Sequence, residues 1–140
     1  MEENYKVLWI DDDVNGPELM SQRDALEEKK CQVTPITNPD DFDIDTISDY
    51  NCVIVDLSLP TGNKLTLQQT RAGARTGLCI LNVLKKNHPD IKTVVYTVFD
   101  IPEVKIFCRE QKIKYLNKSD LLADEFANHI VNLIKNKENE

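Results

Sequence analysis

The sequence predicts an α/β domain built on a parallel sheet with helices on both faces. Five short apolar segments alternate along the 140 residues with helical or turn-rich segments, which is the pattern of repeated β-α units. The third segment, a strand predicted over Asn51–Asp56, contains the run CVIV, whose uninterrupted apolar character suits a strand buried on both faces. It ends at Asp56, at the edge where open α/β sheets bind ligands. Because Asp also commonly begins a turn, this stretch alone leaves Asp56 open between a reacting group and a turn former.

The first two strands flank a predicted helix. Lys6–Ile10 reads KVLWI and predicts a short buried strand. Pro17 fits the first turn of a helix that runs to about Lys30. The next strand, Cys31–Ile36, contains Pro35, which cannot donate a ladder hydrogen bond, so we expect this strand at an edge of the sheet. A short helix is expected around residues 43–48.

The third and fourth units follow the same pattern. A helix is predicted over about Leu78–Asn87, because leucines recur there at helical spacing and a His-Pro pair follows. Lys92–Val98 predicts another apolar strand. Asp100 and Glu103 have the spacing of a capping box, which predicts a helix to about residue 111.

The last unit combines a half-exposed strand with an amphipathic helix. Ile113–Asn117 alternates apolar and polar residues, as a strand with one solvated face does. Ser119 is the predicted N-cap of a helix over about Asp120–Lys135. One predicted core stripe of that helix comprises Leu122, Phe126, Ile130 and Leu133.

The strand order follows from which strands need burial. The first, third and fourth are the most apolar, whereas the second carries a proline and the fifth alternates. The order 2-1-3-4-5 buries the apolar three and is that of flavodoxin-like (βα)5 folds, which bind ligands between the first and third strands. We expect a single domain over residues 1–140, with a core at about 6–135 and a polar tail at 136–140.

Composition excludes several classes of function. A net charge of −7 argues against direct nucleic-acid binding. The sequence has no apolar run of membrane-spanning length and no signal peptide at its start, so we expect a cytoplasmic protein with no membrane contact. The four cysteines form no C-x-x-C pair and are expected to be free, mostly buried thiols rather than zinc ligands.

Polar residues follow the predicted strands at one sheet edge. Asp11 and Asp12 follow the first strand, Asp56 the third, Thr97 ends the fourth and Lys118 follows the fifth. Neighbouring carboxylates repel unless a cation intervenes, and Mg²⁺ suits a site with a few carboxylates and room for phosphate. With a hydroxyl and an ammonium nearby, the set predicts phosphoryl transfer to Asp56 as the nucleophile.

These residues resemble those of response-regulator receiver domains of two-component signalling. The resemblance spans about Lys6 to Leu133. It rests on the acidic pair after the first strand, the D-x-x-x-P sequence of Asp56 and Pro60, the glycine that opens the helix before the fourth strand, Thr97, Tyr115 and Lys118.

The resemblance implies a metal site and a phosphoacceptor. Asp56 matches the residue that carries the phosphoryl group. Asp12 matches the acid that binds Mg²⁺ directly, and Asp11 the acid that acts through water. The backbone carbonyl of Ser58 would be the third protein ligand.

The resemblance also implies a switch and its partners. Thr97 and Lys118 match residues that hold phosphoryl oxygens, and Tyr115 matches an aromatic residue that rotates on activation together with the threonine. Such a domain accepts its phosphoryl group from a histidine kinase or phosphotransfer protein and controls a downstream protein. It catalyses at most its own phosphorylation and dephosphorylation, and homodimerisation is left open.

This chain departs from the receiver pattern at several positions. The connection after Pro60, Thr61–Thr76, is about thirteen residues longer than an ordinary short loop. Its three cations suggest an acidic partner or the donor's phosphate, against the alternative of a solvated loop. These loop cations are Lys64, Arg71 and Arg75. The other departures are Val98 after the threonine, Ser119 where receivers have proline, and Asp13, which leaves the register of the acidic pair ambiguous.

Two other functions remain open from the sequence. One is a receiver-shaped interaction module that does not turn over phosphate, suggested by Val98, Ser119 and the long loop. The other is a Mg²⁺-dependent phosphohydrolase, because Asp11-x-Asp13 resembles the D-x-D motif of haloacid-dehalogenase-type phosphatases. There Asp11 would be the nucleophile and Asp13 the acid.

Overall fold

Five parallel strands form one sheet in the computed structural model, which describes residues 4–57 and 76–135. The strands are β1 (Tyr5–Ile10), β2 (Cys31–Ile36), β3 (Cys52–Val55), β4 (Lys92–Thr97) and β5 (Lys114–Asn117). Their order is β2-β1-β3-β4-β5, which confirms the predicted order. The sites expected at Ser58 and Pro60 and along the loop to Arg75 lie outside the described residues.

In the described part of the chain, four α-helices flank the sheet: α1 (Met20–Glu28), α2 (Thr76–Asn87), α3 (Pro102–Glu110) and α4 (Ala123–Ile134). A 3₁₀ turn at Pro17–Leu19 precedes α1, so the proline lies in the first turn as predicted. Between β2 and β3 the chain forms 3₁₀ segments at Pro39–Asp41 and Ile44–Asp49 instead of an α-helix. The second of these coincides with the short helix expected at 43–48, and Asp43 caps it by accepting a hydrogen bond from the Asp45 N–H at 3.0 Å.

The core lies in two layers, one on each face of the sheet. Alternate strand residues point to opposite faces, and both faces are covered by helices. One layer joins Trp9 and Ile54 to α1 and α4, and the other joins Leu8 and Val55 to α2 and α3. All four of these strand residues are almost fully buried, which explains the continuous apolar runs of β1 and β3. Among the described helices, none has the length and apolarity that crossing a membrane requires.

The two sheet edges carry the least apolar strands. β2 pairs with β1 alone, and Pro35 lies opposite Trp9 in the register. Pro35, which has no N–H to donate, therefore lies on the outermost strand, which has no second neighbouring strand in the sheet to pair with. β5 forms the other edge and has two partly exposed residues followed by the buried Leu116. Both edge assignments made from the sequence are confirmed.

Two predicted helix caps are wrong. Helix α3 begins at Pro102 with Ile101 before it and has no side-chain cap, and Asp100 instead forms an ion pair with Lys105. Asp100 and Glu103 therefore do not form a capping box. The proline fixes the start of this helix without a side-chain acceptor, since its own missing N–H needs none.

The start of the last helix is also later than predicted. Helix α4 begins at Ala123 rather than near Asp120, and Ser119 is not its N-cap. The Ser119 N–H donates to Asn117 Oδ1 at 2.8 Å, which closes a turn after β5. The helix start is stabilised instead by Glu125, whose Oε1 accepts from the Leu122 N–H at 2.8 Å.

The later start removes one residue from the predicted core stripe. Phe126 and Ile130 are fully buried, and Leu133 packs against the core. Leu122 is 74% exposed, so its assignment to the core is wrong. It precedes the helix and does not share the helical periodicity that linked it to the others.

Candidate functional site

Three carboxylates meet where β1 and β3 end. Asp11 and Asp12 follow β1, and Asp56 follows β3. The strands pair directly, with Ile10 opposite Val55, and the Asp56 N–H donates to the Ile10 carbonyl at 3.0 Å. As a result, one oxygen of each carboxylate lies within 4.8 Å of the others. Asp11 and Asp56 are 0% and 2% exposed, whereas Asp12 is exposed.

Lys118 brings an ammonium group to the two buried carboxylates. Its backbone N–H donates to the Thr97 carbonyl at 2.8 Å, which continues the β4–β5 ladder past the strand end. Its Nζ donates to Asp11 Oδ2 at 2.8 Å and to Asp56 Oδ2 at 3.4 Å. The lysine side chain is only 14% exposed. The described peptide bonds are all trans, so Lys118 reaches both carboxylates with Ser119 as the next residue.

The pKa shifts follow from burial and crowding. Burial raises the pKa of Asp11, the Lys118 hydrogen bond opposes this, and the charge of Asp56 adds to it. The pKa of Asp12 is raised by burial and by the charges of Asp13 and Asp56. For Lys118, burial disfavours the ammonium, but Asp11 and Asp56 outweigh it and the pKa is raised. The ammonium form of Lys118 is therefore favoured between these two carboxylates.

The donor set fits a hard divalent cation. Asp11, Asp12 and Asp56 offer only oxygen ligands, as Mg²⁺ and Ca²⁺ prefer, and Asp12 is open to solvent. Three carboxylates and one ammonium leave two negative charges, which a divalent ion would neutralise. Burial is the main reason that the pKa of both Asp11 and Asp12 is raised, and the charge of Asp56 adds to the shift in each case.

Thr97 ends β4 at the same edge of the sheet. β4 lies beside β3, and Val95 is opposite Val55, so Thr97 lies just beyond the end of the ladder that precedes Asp56. It is fully buried, and its Oγ1 accepts a hydrogen bond from the Phe99 N–H at 3.4 Å. Val98, which follows it, is 55% exposed.

Tyr115 is tied to the connection between β4 and α3. It lies two residues after Ile113 and three before Lys118, near the start of β5. Its hydroxyl donates to the Phe99 carbonyl at 2.6 Å, and Lys105 Nζ lies 5.6 Å from its ring centroid. Burial raises the pKa of this phenol, so it is a hydrogen-bond donor at neutral pH.

Asp13 does not join the carboxylate cluster. The cluster found among the described residues contains Asp11, Asp12 and Asp56. Asp13 is exposed, and its N–H donates to Asp11 Oδ1 at 2.9 Å. The structure thus pairs Asp11 with Lys118 rather than with a second acid at position 13, and it offers no support for the D-x-D reading.

Gly77 brings helix α2 against the backbone of Asp56. A Cβ at this position would lie 2.4 Å from the Asp56 carbonyl oxygen and 2.7 Å from Leu57 Cα. Only a residue without a side chain allows the helix to approach so closely. The glycine that opens this helix thus holds it beside the end of β3.

An aromatic residue beneath Lys118 was missed by the sequence reasoning. Lys118 Nζ lies over the ring of Tyr96, 5.9 Å from its centroid. Tyr96 precedes Thr97 and packs into the layer formed with α1 and α4. The alternation of β4 could have placed it on that face, but no pattern in the sequence indicates that Lys118 lies over the ring.

No protein-family model and no curated protein matches the sequence. Solved structures do match: 268 chains are similar in fold. A CheY-like response-regulator receiver domain from Methanospirillum hungatei JF-1 has a TM-score of 0.71 and 17% identity, covering 98% of both chains. The signal receiver domain of a putative Luxo repressor protein from Vibrio parahaemolyticus has a TM-score of 0.72 and 16% identity, covering 97% of this chain and 94% of that one.

A third neighbour was solved with a phosphate mimic. The isolated REC domain of RcsB from Salmonella enterica serovar Typhimurium, in the presence of phosphomimetic BeF3⁻, has a TM-score of 0.72 and 19% identity. The match covers 96% of this chain and 91% of that one. The chain therefore has the receiver-domain fold of response regulators.

Proposed function

We propose that this protein is a phosphorelay receiver that accepts a phosphoryl group on Asp56. The observation that carries the proposal is the joint placement of three carboxylates and Lys118 at the end of β1 and β3. One oxygen of each acid lies within 4.8 Å of the others, and the lysine ammonium bonds two of them. The receiver-domain fold of the neighbours, one of them solved with BeF3⁻, supports the same reading.

The transfer step follows from the chemistry of Asp56. A carboxylate oxygen attacks the phosphorus of a phosphohistidine on a histidine kinase or phosphotransfer protein. The new P–O bond gives an acyl phosphate, while the P–N bond breaks and its electron pair remains on the imidazole nitrogen, which takes up a proton. Catalysis of such a step consists mainly of positioning and charge stabilisation.

The other residues of the site neutralise and orient the transferred group. Lys118 exchanges its contact with Asp56 for one to a phosphoryl oxygen, and Thr97 offers its hydroxyl to another. Asp11, Asp12 and Asp56 would hold Mg²⁺, with the backbone carbonyl of Ser58 as a further expected ligand. When bound, this ion supplies positive charge against the phosphoryl oxygens and the acids.

The signal would leave the site through Thr97 and Tyr115. If the Thr97 hydroxyl turns toward a phosphoryl oxygen, its contact with the Phe99 N–H at 3.4 Å is lost. The Tyr115 hydroxyl bonds the carbonyl of the same Phe99, so the two side chains share one segment of backbone. A downstream protein or a second copy of the chain would read the changed surface.

A cytoplasmic setting belongs to the same proposal. Cys31, Cys52 and Cys108 are buried free thiols, as in proteins of reducing compartments. The domain would act as a signalling module rather than as an enzyme with a separate substrate.

Phosphorylation by acetyl phosphate tests the proposal directly. Intact-mass spectrometry should show addition of one phosphoryl group in the presence of Mg²⁺ and none after chelation with EDTA. Asp56→Asn should abolish the addition, because the amide is not a nucleophile here. Asp13→Asn is the matched control, since Asp13 is an exposed acid beside the site that is not in the carboxylate cluster, and it should be modified like wild type.

Two outcomes would count against the proposal. If wild type stays unmodified under conditions that phosphorylate an established receiver, the receiver-shaped interaction module becomes the better reading. If the protein instead hydrolyses small phosphomonoesters, and Asp11→Asn abolishes turnover while Asp56→Asn does not, the phosphohydrolase reading is favoured.

A further inference from the structure

We infer that Tyr96 is a positioning residue for Lys118: its ring face holds the lysine ammonium beside Asp11 and Asp56, and its hydroxyl connects this support to helix α1. The ammonium contact stands on geometry alone. Its consequence for phosphoryl binding rests on the proposed function.

Lys118 Nζ is surrounded by groups of two kinds. Asp11 Oδ2 at 2.8 Å and Asp56 Oδ2 at 3.4 Å attract it as carboxylates. The ring of Tyr96 lies beneath it, with 5.9 Å from Nζ to the ring centroid. An aromatic face attracts a cation through its quadrupole, and such a contact changes an equilibrium constant by roughly 2- to 30-fold, more when it is shielded from water.

The Tyr96 ring is held firmly enough to serve as a support. It is fully buried and stacks on Phe126 of α4, with 4.1 Å between centroids and 21° between planes. Trp9 of β1 packs on it at 6.0 Å, tilted by 59°. A ring confined on two sides does not rotate away when the lysine moves.

The hydroxyl of Tyr96 ties the ring to α1. Gln22 Nε2 donates a hydrogen bond to it at 3.3 Å. Burial raises the pKa of this phenol, with the Gln22 bond opposing the shift, so the hydroxyl is neutral at physiological pH. Lys118 is thereby linked through one side chain to a helix on the far side of the sheet from α2 and α3.

A lysine side chain needs such a support because it is long and flexible. The ammonium must let go of Asp56 when a phosphoryl group arrives and still remain beside it. The aromatic face keeps its attraction whichever oxygen the ammonium binds, whereas a carboxylate partner must be replaced. A lysine side chain that is already held in place loses less conformational entropy when its ammonium binds the phosphoryl oxygens.

NMR of the metal-free protein tests the contact independently of phosphorylation. Protons above an aromatic face are shifted upfield, so the Lys118 Hε signals should lie upfield of those of other lysines. Tyr96→Phe keeps the ring and should keep the shift. Tyr96→Leu should return the signals to the ordinary lysine position. Phe126→Leu makes a similar loss in the same aromatic stack, but Trp9 and the new leucine still confine the Tyr96 ring, so the Lys118 shift should stay in place.

Beryllofluoride affinity in the presence of Mg²⁺ tests the consequence. Tyr96→Leu should weaken binding by roughly 2- to 30-fold, the range of a cation–aromatic contact. Tyr96→Phe and Phe126→Leu should each bind within about 2-fold of wild type, because both keep the ring beneath the ammonium. Thermal unfolding of the same variants checks that Tyr96→Leu and Phe126→Leu lose comparable stability.

The outcomes separate this inference from the proposed function. Ordinary Lys118 shifts in wild type would overturn the inference whether or not the other variants fold. Equal losses of affinity in Tyr96→Leu and Phe126→Leu would overturn it too, because the effect would then come from general core packing. If wild type shows the upfield shift but binds no beryllofluoride, the contact stands and the proposed function fails.

Discussion

Replacing Gly77 by alanine should damage both the fold and the site. The added Cβ would lie 2.4 Å from the Asp56 carbonyl oxygen, 2.7 Å from Leu57 Cα and 3.0 Å from the Asp56 carbonyl carbon. All three neighbours are backbone atoms, so no flexible side chain can move aside. Ordinary contact begins at 3.4 Å, and α2 and the end of β3 must therefore separate by about 1 Å.

The opposing energies can be compared. Alanine is the better helix former by about 1 kcal/mol. Overpacking against atoms that cannot adjust costs typically about 1–3 kcal/mol. We expect the clash to prevail, because it involves rigid backbone at both ends of the contact. The net loss should be up to about 2 kcal/mol, which lowers the melting temperature by up to roughly 8 °C for a domain of this size.

The effect on phosphorylation should exceed the effect on stability. A displacement of about 1 Å at a reacting group can slow a reaction by roughly 100-fold. The rate of modification by acetyl phosphate should therefore fall sharply at temperatures where Gly77→Ala is still folded. Circular dichroism gives the melting temperature, and intact-mass spectrometry over time gives the rate.

Gly16→Ala is the matched control. Its Cβ would meet the Asp13 carbonyl at 3.2 Å, which requires a shift of only a few tenths of an ångström. The backbone there, at φ −87° and ψ 170°, is open to alanine. We expect near-wild-type stability and rate. If Gly77→Ala proved as stable and as reactive as Gly16→Ala, the close packing of α2 on Asp56 would be refuted.

Three further predictions follow from burial and charge. Leu122→Ser should change the free energy of unfolding by no more than about 0.5 kcal/mol, whereas Ile130→Ala should cost about 2–5 kcal/mol in the same urea titration. Cys79 is half-buried whereas the other three cysteines are buried, so it should be the first that iodoacetamide alkylates in the native protein, with all four modified in urea. Lys118→Met should lower the free energy of unfolding by about 3 kcal/mol, because it leaves the buried Asp11 carboxylate without its cationic partner. The double variant Lys118→Met/Asp11→Asn should recover part of this loss. If it recovers none, the ion pair between Lys118 and Asp11 is contradicted.

The fold was predictable from local composition because the burial of a strand and its position in a parallel sheet both determine which residues its sequence contains. Pro35 excludes a central strand, and the apolar runs of β1 and β3 require cover on both faces. Helix starts were less predictable. Asp100, Glu103 and Ser119 each have the residue type or spacing of a cap, yet Asp100 pairs with Lys105 and Ser119 takes part in a turn. Several residues near a helix start can satisfy its free N–H groups, and tertiary contacts decide among them.

The carboxylate cluster was predictable for a different reason. Residues that follow neighbouring parallel strands must meet at one edge, so strand order alone brings Asp11 and Asp56 together. The contact between Lys118 and Tyr96 depends on the path of a side chain across the end of β4. The approach of Gly77 to Asp56 depends on how α2 docks. Neither contact produces a periodic pattern of residues, so neither could be predicted from a single sequence.

The charges of the site connect its stability to its proposed chemistry. Asp11 and Asp56 are both buried, and a single ammonium of Lys118 bonds them. At Asp11, the effect of burial on the carboxylate is larger than the effect of the shared Lys118 ammonium. The pKa of Asp11 is therefore raised despite the lysine. A second positive charge beside the two carboxylates would stabilise the folded protein. A phosphoryl group that binds Lys118 would draw its ammonium away from these carboxylates. Under the proposed function, this imbalance predicts that Asp56 accepts a phosphoryl group only when a divalent cation is bound beside it.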